Sequence, residues 1–124
     1  MSRYRNPITM DDFIRDIFLA FIRIHLLHHA AEAPFYGAEM LAELARHGYS
    51  LSPGTLYPML HAMEAGGYLE CERRVVGGKV RKYYRATPQG RAALTRARPQ
   101  IRELVDEVLA EEMSPDTEEK THES

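Results

Sequence analysis

The chain has no tryptophan, a single cysteine and no long uncharged apolar run. Alone, Cys71 has no partner for an intramolecular disulfide, which fits a reducing compartment. The one strongly apolar stretch is interrupted by Arg15, Asp16, Arg23 and His25, and so falls short of the roughly 18 residues that a membrane span needs. Its start, Met1 to Arg5 followed by Asp11 and Asp12, lacks the basic, apolar, small-residue order of a signal peptide. These absences predict a cytoplasmic protein with no membrane partner. No glycine-rich phosphate loop or metal motif is present either, and no nucleophile stands beside an evident base. The expectation is no enzyme, no cofactor and no metal.

What is present is ordinary in bulk and uneven in distribution. With 124 residues, 44% hydrophobic and 27% charged, the composition is that of one soluble domain. The net charge of -2 conceals an asymmetry: residues 1–102 carry 15 Lys and Arg against 9 Asp and Glu, whereas residues 103–124 carry 1 against 9. A basic body with an acidic tail suits a protein that presents one part to a polyanion.

Phe13, Ile14, Ile17, Phe18, Phe21, Ile22, Ile24 and Leu26 recur at three- and four-residue spacings, predicting a helix over 11–31 with Asp11 or Asp12 as N-cap. The helix is apolar around more than one face, as burial against both its own domain and a partner requires. Pro34 and Gly37 predict a turn over 32–37. A second helix carries Met40, Leu41, Leu44 and Ala45 and stops near Gly48. Ser52-Pro53 opens a third helix, to about Ala65, with Leu56, Leu60 and Met63 toward the core. Gly54, Thr55, Tyr57, Pro58 and His61 are left for its other side.

Period-two alternation then predicts a strand over 68–75, a Gly77-Gly78 turn and a second strand over 79–86. Tyr83 and Tyr84 must point to opposite faces, one of them core. Thr87-Pro88 opens a long helix in which Leu94, Ile101 and Val108 lie seven apart with Ala97 and Leu104 interleaved, a helix-pairing seam. Pro99 predicts a kink or break between 95 and 99. Residues 113–124 are polar, acidic and aperiodic, and are expected to be disordered.

The predicted fold class is therefore mainly α with a small β-hairpin: a winged helix-turn-helix domain over 11–87 and a C-terminal dimerisation helix over 88–112. A helix fits the major groove of B-DNA, and its N-terminal end presents N–H groups and short hydroxyls to phosphates and base edges. Here that end offers Ser52, Gly54, Thr55 and Tyr57, with Pro58 and His61 further along the same side. Six cations, Arg73, Arg74, Lys79, Arg81, Lys82 and Arg85, fall within thirteen hairpin positions that include no acid. Phosphate neutralisation there would set affinity, and the third helix would set choice of site.

The run Leu51-Ser52-Pro53-Gly54-Thr55-Leu56-Tyr57-Pro58-Met59-Leu60-His61 resembles the PadR family of bacterial transcriptional regulators. So do Met63-Glu64, Gly67, Arg81-Lys82-Tyr83-Tyr84, Thr87-Pro88-Gln89-Gly90 and, ahead of them, Leu26-Leu27 with Pro34-Phe35-Tyr36-Gly37. The resemblance covers roughly 22–94 and departs from the family at Ala62, where Arg is usual, and at the less basic wing tip Gly77-Gly78-Lys79-Val80. It implies a homodimeric repressor on a palindromic operator, paired through the last helix and sometimes the first, which points to Ile17, Phe21, Leu94, Ile101, Leu104 and Val108. Some relatives release DNA on binding phenolic acids or planar drugs, so a small aromatic or hydrophobic effector is a further expected partner. The competing class is a winged-helix ligand-binding or protein-interaction adaptor that has lost DNA binding.

Two features stand apart. His25, His28 and His29 are spaced closely enough on one helix for two of them to ligate a metal, but with no nearby carboxylate or cysteine pattern they read as interface histidines. Cys71, beside Leu69 in a strand pattern, reads as a small buried apolar residue rather than a redox sensor.

Overall fold

The computed structural model describes residues 6–112. Its elements are α1 (Met10–Glu32), β1 (Phe35–Tyr36), α2 (Gly37–Arg46), α3 (Pro53–Ala65), β2 (Leu69–Val76), β3 (Lys79–Ala86) and α4 (Pro88–Val108). The chain divides into two compact units between Arg91 and Ala92, inside α4. The expected acidic tail at 113–124 lies outside the described residues. None of the described helices is long and apolar enough to cross a membrane.

α1 is capped by Thr9, not by Asp11 or Asp12: the Thr9 hydroxyl accepts from the Asp12 N–H at 3.1 Å. Both aspartates instead occupy the first turn, where their charge complements the helix dipole. Ile22, Leu26 and Ala30, four residues apart, form the buried stripe of α1. Met40 and Leu44 of α2 and Leu56, Met59, Leu60 and Met63 of α3 join them in one core.

The turn expected over 32–37 contains a strand. Phe35 and Tyr36 pair with Tyr84 and Tyr83, making a three-stranded antiparallel sheet in the order β1-β3-β2 rather than a bare hairpin. Two residues suffice because β3 supplies the template, and Phe35 is buried against Tyr84 as a result. The hairpin turn is Gly77-Gly78, both at positive φ.

The two central helices end in the same way. After α3 the Tyr68 N–H reaches the Met63 carbonyl and the Gly67 N–H reaches that of Glu64, with Gly67 at φ 86, the left-handed position of a Schellman motif. After α2, Tyr49 and Gly48 bond to Leu44 and Ala45 in the same pattern. Both prolines inside helices are absorbed without a break. α4 is continuous from Pro88 to Val108 through Pro99, so of the expected kink or break the break is absent, because a single missing donor leaves the hydrogen-bond ladder intact on either side.

Candidate nucleic-acid interface

α3 separates its residues cleanly by face. Leu56, Met59, Leu60 and Met63 are buried, while Ser52, Gly54, Tyr57, Pro58 and His61 are exposed and Thr55 is half-buried. Ser52 occupies the N-cap position and its carbonyl accepts from the Thr55 and Leu56 N–H groups. Its side chain does not make the expected capping bond; the hydroxyl lies 3.3 Å from that of Thr55. Two hydroxyls thus share the start of the helix, where Pro53 has no N–H and those of Thr55 and Leu56 are already bonded to Ser52.

Tyr57 is 36% exposed, and its ring also lies over Gly37, the first residue of α2. A Cβ at residue 37 would overlap the phenol, so the glycine admits the ring between α2 and α3. The same ring stands 6.4 Å from His61 on the next turn. Packing on α2 and partial exposure coexist in this residue.

The sheet sorts the wing cations into two sets. On one face, Glu70 lies across from Arg85 and pairs with it at 2.8 Å. Arg74 contacts Glu72 at 2.6 Å and covers the Tyr83 ring, and Arg81 covers the Tyr36 ring at the same 4.4 Å. Tyr36 and Tyr83 meet edge to face at 5.4 Å, so the two arginines clasp an aromatic pair. The Arg74 hydrogen bond holds the Glu72 carboxyl below the usual carboxylate range. Arg74, Arg81 and Arg85 already have partners in the chain: Tyr36 for Arg81, and for Arg74 and Arg85 the acids Glu72 and Glu70, which lie just before the acid-free segment.

On the other face, Leu69, Cys71, Arg73 and Val75 lie across from Ala86, Tyr84, Lys82 and Val80. The base of this face is core and packs toward α3, so Arg73 and Lys82 emerge on the α3 side of the sheet. They stand directly opposite each other, and among the described residues Arg73, Lys79 and Lys82 take part in no ion pair. Like charges directly across a ladder are destabilising unless an anion intervenes. Tyr84 is the core tyrosine of the Tyr83-Tyr84 pair, and burial pushes its phenol up to about 12, with Cys71 adding to the shift. Cys71 is half-buried and its thiol is raised, chiefly by burial.

Thr87 ties the wing to the end of α3. Its hydroxyl donates to the Gly67 carbonyl at 2.6 Å and accepts from the Gly90 N–H at 3.0 Å, while its own N–H reaches the Tyr68 carbonyl. Gln89 adds a bond to the Gly66 carbonyl. The Thr-Pro-Gln-Gly run is thereby a clip that sets where the hairpin leaves the helix-turn-helix.

A model described as the transcriptional regulator PadR-like family matches residues 26–96, a span that includes α2, α3, the wing and this clip. The chain belongs to the PadR-like family of transcriptional regulators. It is 55% identical over 96 residues to the transcriptional regulator Rv3488 of Mycobacterium tuberculosis, covering 77% of this chain and 90% of that one. A PadR family regulator from Eggerthella lenta superposes with a TM-score of 0.64 at 33% identity, over 79% of this chain and 90% of the other. A PadR-like regulator from Bacillus cereus gives 0.64 at 25% identity, over 68% and 84%.

Outside the wing, this PadR-like regulator leaves apolar side chains exposed where pairing was expected. Phe21 of α1 is exposed and Ile17 half-buried, with Phe13, Ile14 and Phe18 exposed beside them. On α4, Leu104 and Val108 are exposed and Ile101 half-buried. Leu94 is buried. A cleft of about 400 Å³ opens between α1 and the segment before α3, lined by Ile14, Phe18, Leu19, Tyr49, Leu51 and Thr55.

The histidines have neighbours that spacing along one helix could not reveal. His47, at the end of α2, stacks on His25, and Glu43 lies beside His29 and His47. Burial holds His25 below the ordinary histidine value, with His47 adding to it, and burial does the same for His29 against the opposing pull of Glu43.

Proposed function

We propose that this PadR-like regulator is a sequence-specific DNA-binding repressor, acting as a homodimer on a palindromic operator and released by a small aromatic or hydrophobic effector. The observation that carries the reading is the opposed Arg73 and Lys82 pair, on the α3 side of the sheet and, among the described residues, without a carboxylate partner. A duplex phosphate is the anion that relieves this juxtaposition. Lys79, Arg81, Arg74 and Arg85 contribute a broader positive field from the opposite face of the sheet.

In this reading the N-terminal half of α3 enters the major groove. Ser52 and Thr55 meet the phosphate at its rim, while Gly54, Tyr57, Pro58 and His61 face the base edges. Two copies pair through Ile101, Leu104 and Val108 of α4, with Ile17 and Phe21 of α1 covering the rest of the apolar surface. The cleft beside Phe18 and Tyr49 is the place for an effector, since its walls are mostly apolar, with Asp11 and Arg15 as charged groups among them, and it borders Thr55 at the start of α3.

The test is selection of bound fragments from the source genome followed by footprinting. The expected footprint is two-fold symmetric, with half-sites about one helical turn or roughly 10 bp apart. Protection without symmetry, or no retention on any duplex, would reject the reading in favour of an adaptor.

A further inference from the structure

Three imidazoles from two helices cluster together, and two of them meet one carboxylate. His25 and His29 are successive turns of α1, with rings stacked at 6.2 Å. His47 caps the end of α2, and its ring stacks on His25 at 4.8 Å. One ring nitrogen from each of the three lies within 4.8 Å of those of the other two. Glu43, one turn before His47, brings Oε2 to 3.0 Å from His47 Nε2 and 3.7 Å from His29 Nε2. His29 Nε2 is buried without a hydrogen-bond partner, an arrangement that a metal bond would satisfy.

We propose that His25, His29 and His47, with Glu43 as fourth ligand, form a binding site for a divalent transition ion of the zinc class. The donor set is three neutral-imidazole nitrogens and a carboxylate oxygen, which suits Zn²⁺ and its neighbours and does not suit Ca²⁺ or Mg²⁺. Zinc–nitrogen bonds of 2.0–2.1 Å in a tetrahedron place the donor atoms about 3.4 Å apart. Rotations of the His47 and Glu43 side chains close the remaining gap. Arg46 engages the other oxygen of Glu43, so Oε2 is left facing the imidazoles, as an outer-shell partner should leave it.

A second grouping, His28, His29 and Glu32, shares His29 but belongs to α1 alone, and His28 and Glu32 are exposed to solvent. The two-helix site is favoured because two of its three imidazoles, His25 and His29, are half-buried and because it spans α1 and α2. An ion there is a staple between those helices, and its binding stabilises the folded chain by mass action.

The experiment uses the full, untagged chain stripped of metal and titrated with Co²⁺, a spectroscopic stand-in for Zn²⁺. One equivalent per chain should produce the visible absorption of tetrahedral Co²⁺, abolished by Zn²⁺, and Zn²⁺ should raise Tm. His47→Gln and Glu43→Gln should each weaken Co²⁺ binding by about tenfold or more, whereas His28→Ala should leave it unchanged. Metal-free Tm reports whether each variant is folded, and His47 is exposed enough to be replaced without loss of the core. Absence of the band at millimolar Co²⁺ would overturn the proposal. So would loss of binding in His28→Ala with full binding in His47→Gln.

Discussion

Arg73 and Lys82 face each other across β2 and β3 on the side of the sheet that packs toward α3, and among the described residues neither is paired with a carboxylate. The arrangement costs the free protein a little stability and gives a polyanion a prepared contact. Lys82→Glu should therefore raise the stability of the free protein, by about 0.2–1 kcal/mol, because it turns a like-charge pair into an opposite-charge one. The same change should weaken binding to every duplex. Thermal melts beside fluorescence anisotropy check the two effects together, and they should move in opposite directions.

Gly37 and Tyr57 supply a second test. Gly37→Ala places a methyl group where the phenol lies, so the ring must swing away from α2. A loss of about 1–3 kcal/mol is expected from the overpacking. Because the displaced ring belongs to the exposed side of α3, discrimination between operator and random DNA should fall as well. Tyr57→Ala should lower discrimination in the same sense while leaving the salt dependence of nonspecific binding intact.

Thr87→Val keeps the shape of the side chain and removes both bonds of the hydroxyl, to the Gly67 carbonyl and from the Gly90 N–H. The expected destabilisation is about 1–3 kcal/mol, measured by urea unfolding. Gln89→Ala, which removes a more exposed bond to Gly66, should cost less.

Tyr84 predicts the behaviour of the fold in alkali. The unfolded phenol ionises near 10.0, whereas burial holds the folded one up to about 12. Between those values the unfolded chain has lost a proton that the folded chain keeps, so stability falls as pH rises, by up to roughly 2–3 kcal/mol. Cys71, raised in the same direction, begins to contribute from about its ordinary value of 9.0. Tyr84→Phe retains the ring, removes a buried hydroxyl without a hydrogen-bond partner, and should flatten this alkaline decline.

Much of this architecture could be read in the residues because its signals are local. Ser52-Pro53 and Gly66-Gly67 bracket α3, and Gly77-Gly78 with Thr87-Pro88 brackets β3, and in both cases the expected span agrees with the element found. β1 was hidden because Phe35 and Tyr36 become a strand only when β3 lies beside them. The α1 cap was placed two or three residues late because an aspartate near a helix start serves either as a cap or as a first-turn charge. In the candidate interface, alternation along the hairpin located the cations. Their sorting into the partnered Arg74, Arg81 and Arg85 and the unpaired Arg73 and Lys82 needed the cross-strand register and Tyr36. Glu43 and His47 joined the α1 histidines by tertiary packing alone, which no periodicity along one helix encodes.

The central claim is that the α3 side of the wing grips duplex phosphates, and the salt dependence of binding tests it most directly. Anisotropy titrations over several salt concentrations should give a steep slope for the native chain on both operator and random DNA. Replacing Arg73 and Lys82 together by alanine should reduce that slope by about two counterions on both duplexes. An unchanged slope in the double variant, or no salt-dependent binding by the native chain, would contradict the account.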